Sequence, residues 1–155
     1  MKRVTLLACF ALAAFVMAAP ALAREDKPAF DKVSGLIGYG DQTVEMYAGN
    51  TLAHGVRGEW SWSYPGFFAN GSVTELIVDG SKATACGTIE ASSNPSLVGD
   101  TFQQYVNDTG GLGQFDRSQS FTYAAGTPCI APSVYDANGA GLLNTAGQWH
   151  VHDAP

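Results

Sequence analysis

His150-x-His152, followed at once by Asp153, is the spacing most suggestive of chemistry in this sequence. On a strand, alternate residues share a face about 6–7 Å apart, so two imidazoles at this interval can chelate one metal ion. His54 or a distant carboxylate would have to complete the set, because no third ligand stands at a diagnostic interval. The competing reading is two polar residues facing solvent near a chain end.

Trp60, Trp62 and Tyr64 form a second candidate. The run Arg57-Gly58-Glu59-Trp60-Ser61-Trp62-Ser63-Tyr64 alternates strictly, which places the three rings on one strand face and Glu59, Ser61 and Ser63 on the other. With Phe67-Phe68 just beyond, this is the densest aromatic region of the chain. Flat rings can seal a pocket or stack on a carbohydrate or apolar ligand. They can equally fill a core, since the opposite face is polar and something must be buried. In a barrel both readings hold, because inner rings can line a small cavity.

Weaker signals complete the chemical inventory. Gly110-Gly111-Leu112-Gly113-Gln114-Phe115-Asp116 has the Gly- and Asp-rich look of a calcium turn, but such turns work by stacking and this one occurs once. Asn107, Asp108 and Asp116 can offer oxygens to a hard cation, against a reading as an acidic loop in water. Glu59, Glu75, Glu90 and Asp100 could supply a carboxylate pair for glycoside chemistry, although nothing in their spacing argues that they meet. No serine sits in a Gly-x-Ser-x-Gly elbow. No cofactor is expected from any of these motifs.

The elements that must position these residues are strands. Apolar and polar residues alternate, and turn clusters recur every 8–14 residues or so, as between antiparallel strands. They include Ala48-Gly49-Asn50, Ala69-Asn70-Gly71-Ser72, Asp79-Gly80-Ser81 and Ser92-Ser93-Asn94-Pro95. Asp79-Gly80, between Gly71–Val78 and Ser81–Glu90, is the clearest hairpin signal. Further strands are expected over 33–39, 43–48, 57–64, 101–107, 118–124 and 148–152. About eight short strands with short connections predict an all-β antiparallel meander, closed into a small barrel or folded into a two-sheet sandwich. Residues 127–146, rich in Gly, Pro, Ala and Asn, are expected to form an irregular excursion.

Composition narrows the setting. Met1-Lys2-Arg3, an apolar run from Val4 to Met17, and Ala21-Leu22-Ala23 ahead of Arg24-Glu25-Asp26-Lys27 have the order of a cleaved secretory signal. The apolar run is shorter than the roughly 20 residues of a spanning helix, so no transmembrane segment is expected in the mature chain. A lipoprotein cut before Cys9 would leave almost no apolar run ahead of it. Residues 24–155 then form one domain acting in the periplasm or beyond the cell. Removing 1–23 takes two of the eight basic residues and none of the fourteen acidic ones, carrying the formal charge from −6 to −8. Such a chain repels phosphate backbones, which argues against a nucleic-acid partner. Of the three cysteines Cys9 leaves with the signal, and Cys86 and Cys129 remain as a candidate disulfide. Two free thiols are the alternative; a metal site lacks a second pair of cysteines.

The run Gly71 to Ile89 (GSVTELIVDGSKATACGTI), then Val98-Gly99-Asp100-Thr101 leading to Val106-Asn107-Asp108, and the ending Val151-His152-Asp153-Ala154 resemble a loose group of small exported bacterial all-β proteins of uncharacterised function. The resemblance covers about half of the expected mature chain and brings no catalytic residue with it. Members of that group often carry a cysteine near the position of Glu75, not at Cys86, so the Cys86–Cys129 pairing is a matter for geometry. The expectation is a binding or structural module for a small apolar ligand or a protein partner. One alternative is a small barrel enzyme of lyase, cyclase or isomerase type; another is an assembly protein pairing through strand edges. A cavity with convergent polar groups would favour the first two, and a filled core with an open edge the third.

Overall fold

The computed structural model describes residues 30–51, 53–110, 115–139, 142–143 and 146–154. The expected signal sequence lies outside them. The strands, in chain order, are β1 (Lys32–Tyr39), β2 (Gln42–Thr51), β3 (Gly55–Tyr64), β4 (Phe67–Asp79), β5 (Lys82–Ser92), β6 (Thr101–Asn107), β7 (Arg117–Tyr123), β8 (Leu142–Leu143) and β9 (Ala146–His152). All pair antiparallel in one sheet of order β8-β7-β6-β5-β4-β3-β2-β1-β9. The all-β meander is thus borne out, as one curled half-barrel sheet and not two packed sheets.

Period-2 patterning explains which face is buried. Val33, Ile37, Val44, Met46, Trp60, Val73, Ile89, Phe102 and Trp149 are buried together on the concave face. Turn chemistry explains the connections: Gly80 follows β4 with φ 59°, a region that only glycine enters without strain.

Two expected turns prove to be strand interior. Ala48-Gly49-Asn50 lies within β2, and Ala69-Asn70-Gly71-Ser72 within β4, where the register shifts between Asn70 and Gly71. The glycine at 71 serves packing: a Cβ there would lie 2.0 Å from the Thr88 carbonyl oxygen, and one at Gly87 only 1.8 Å from that of Ser72. Missing side chains on the concave face let β4 and β5 bend over the core.

Carboxylates stitch the far edge of β9. Asp116 accepts from the Trp149 N–H at 2.7 Å, and Asp108 accepts from the Val151 N–H at 3.1 Å. The other oxygen of Asp116 accepts from the N–H and hydroxyl of Thr109. Buried at 6 % exposure, Asp116 is a structural acceptor and not an acidic loop residue in water.

The convex face of β5–β7 is covered by the segment after β7. This segment carries a short helix, α1 (Pro132–Ala137), and then β8 and the start of β9, so the expected excursion is more ordered than its composition suggests. Cys129 is bonded to Cys86 on β5, with Cα atoms 5.7 Å apart. Gln103 holds the segment from beneath, donating to the Pro128 carbonyl at 2.8 Å and accepting from the Tyr135 hydroxyl at 2.6 Å. Tyr135 stacks on Phe121 with centroids 4.9 Å apart. Asp136 bonds both Tyr105 and Lys82. Among the described residues no helix is long and apolar enough to cross a membrane.

Candidate functional site

The aromatic stripe on β3 divides in the folded chain. Trp60 is core: it is 2 % exposed and stacks on Phe102 with centroids 4.3 Å apart and planes 8° from parallel. Its indole N–H donates to the Gln104 side-chain oxygen at 3.1 Å. Trp62, one layer further along, is half-buried and forms part of the wall of a cavity of about 120 Å³. Tyr64, 39 % exposed, stands at the hairpin end and stacks on Phe67 at 4.6 Å. Phe67 meets the Trp62 ring edge-on at 5.2 Å, so the three rings brace one another.

The cavity lies between the β1–β3 side of the sheet and β7. Ile37, Val44 and Trp62 supply apolar surface, and Tyr39, Gln42 and the run Ser118–Ser120 supply the rest. Trp62 is held in orientation by its indole N–H, which donates to the Gln42 side-chain oxygen at 3.3 Å. None of the lining side chains carries a formal charge at neutral pH, so the cavity suits a neutral molecule. Its size is near that of a dry apolar cavity of about 150 Å³ that accepts one benzene ring.

A buried polar chain runs from this cavity into the core. Ser120 bonds to the Gln104 side-chain oxygen, the same atom that accepts from Trp60. The Gln104 amide nitrogen donates to the Tyr105 carbonyl at 3.1 Å. Gln104 has no exposed surface, and these bonds meet the requirement that a buried amide be satisfied. Neither Gln104 nor Ser120 stood out in the sequence. The available signal was Gln103-Gln104 between Phe102 and Tyr105-Val106, since adjacent residues face opposite sides and one amide must point inward.

The histidines lie elsewhere. His150 and His152 share the convex face of β9, opposite Ser34 and Lys32 of β1. His150 is exposed. Among the described residues no group of three or more His, Cys, Asp and Glu side chains is placed to hold a metal ion. Of the four carboxylates considered for glycoside chemistry, Glu59 and Glu90 line one open groove of about 530 Å³ on the convex face, with Glu45 and Tyr47. Glu75 and Asp100 lie outside its lining.

The perturbed acids belong to the covering segment. Burial raises Tyr105 and Tyr135 above the ordinary phenol range, helped by Asp136 in the first case and by Tyr123 in the second. Burial works against the charge of Asp136, but hydrogen bonds from Lys82 and Tyr105 outweigh it and hold the carboxyl below its usual value. This network fastens the segment and lies on the opposite side of the sheet from the core. No known family, curated protein or solved structure matches the chain.

Proposed function

We propose that this chain is exported, loses residues 1–23, and acts outside the cytoplasm as a small binding module. It holds a compact, largely apolar ligand at the open end of the half-barrel. The observation carrying the binding reading is the cavity walled by Ile37, Val44 and Trp62, beside a core of buried apolar side chains. Export is supported by the order of charge, apolar run and small residues at the N-terminus. The Cys86–Cys129 bond supports it too, because such bonds persist in oxidising compartments. Assembly through the edge of β9 is disfavoured, since the Trp149 and Val151 N–H groups already have carboxylate acceptors.

Titration with toluene tests the binding reading. Toluene should quench tryptophan fluorescence saturably, and Trp62→Ala should abolish the saturable change while the far-ultraviolet circular dichroism is retained. A wild-type protein whose fluorescence never saturates would end the reading. For export, the mature protein in the extracytoplasmic fraction should begin at Arg24 by mass spectrometry; an intact Met1 would contradict it.

A further inference from the structure

The hydrogen-bond polarity of the cavity floor can be deduced atom by atom. An indole N–H can only donate, so the Gln104 atom facing Trp60 is its carbonyl oxygen and the amide orientation is settled. That oxygen is also in bonding contact with the Ser120 hydroxyl oxygen. Two oxygens in such contact need a proton between them. The carbonyl has none, so Ser120 donates its only proton to Gln104. The other amide atom, the nitrogen, is turned to the Tyr105 carbonyl and cannot reverse the assignment. Ser120 lines the cavity with its proton committed, and its oxygen is left with acceptor capacity alone.

We propose that the cavity selects a neutral ligand carrying a hydrogen-bond donor: a compact ring bearing one hydroxyl or un-ionised amine group. The proposal rests on the cavity reading above and names the ligand class for that same site. The apolar body of the ring lies against Trp62, Ile37 and Val44, and its donor reaches Ser120. A protonated amine is disfavoured because the cavity lining offers no carboxylate to offset the loss of its hydration. Carboxylates and phosphates are disfavoured because the lining offers no cationic side chain to offset the loss of their hydration. The polarity is rigid. Turning the Ser120 proton toward a ligand would set two lone-pair oxygens against each other in a part-buried site.

The test compares phenol with toluene on the disulfide-bonded protein, by titration followed in proton NMR. The quantity read is the ratio of their affinities in the wild type and in Ser120→Ala, so that the different hydration of the two ligands cancels. The ratio should fall roughly three- to tenfold in Ser120→Ala, the usual worth of one hydrogen bond. Should Ser120→Ala fail to fold, Ser120→Cys serves instead, because its thiol is nearly the same size and a much weaker acceptor; the ratio should again fall. An unchanged ratio with both ligands still bound would overturn the donor rule and leave the cavity reading standing. Failure of both ligands to saturate the wild type would overturn the two together.

Discussion

Trp60 and Trp62 are two residues apart, on the same strand and the same face, yet they occupy different physical environments. Around Trp60 the half-barrel is buried: Phe102 covers the ring, and the Gln104 oxygen accepts a hydrogen bond from its indole N–H. Around Trp62 the curled sheet leaves a gap between its β1–β3 side and β7, and the ring borders space. Identical side chains at period 2 can therefore serve stability at one position and leave a binding wall at the next.

The sharpest way to break this comparison is to truncate each ring. Trp60→Ala should cost about 3–5 kcal/mol by urea denaturation, because it opens a close-packed site and removes one of the two donors to the buried Gln104 oxygen. Trp62→Ala should cost less than about 2 kcal/mol, since part of the space around the ring is already empty. Equal losses would remove the distinction between a filled middle and an open end.

Reducing the disulfide should come next in size. The bond spans 43 residues and lies on the convex face, away from the cavity. Reduction, or Cys129→Ser, should lower stability by about 3–4 kcal/mol while leaving toluene affinity within a factor of two or so. Loss of binding in a reduced but folded protein would show that the covering segment shapes the cavity through the sheet.

The smallest effect concerns Asp136. Its carboxyl is depressed on folding, so its contribution is present above the ordinary carboxylate range and is lost as pH falls through the lowered value. The wild type should therefore lose stability below about pH 4 to a greater degree than Asp136→Asn does. Salt should shrink that difference, because both Lys82 and Asp136 remain about a third exposed. An Asp136→Asn protein with the same acid profile would mean that the Lys82–Asp136–Tyr105 contact does not fasten the segment.

Much of the frame was legible because turn and strand chemistry are local. The Gly80 hairpin and the alternation from Arg57 to Tyr64 follow from backbone rules that need no partner. Asn70-Gly71 misled for a physical reason: glycine suits a tight turn and an inward bend equally, and only the approach of β5 decides between them. Asp108 and Asp116 were open to a cation reading because their true acceptor role depends on β9 arriving from about 40 residues away. The stripe on β3 was visible, but depth along a strand is not. Period 2 separates faces and says nothing of which layer lies at an open end. The Ser120–Gln104–Trp60 chain joins three strands and leaves almost no mark on any one of them.

Under the proposed function the open end at Trp62, and not the packed middle at Trp60, receives a ligand. The protein has three tryptophans, so three indole N–H signals report on three depths of the half-barrel. In a nitrogen-15 NMR titration with toluene, the Trp62 indole signal should shift saturably while those of Trp60 and Trp149 stay close to their starting positions. No saturable shift at Trp62, or an equal shift at Trp60, would contradict the account.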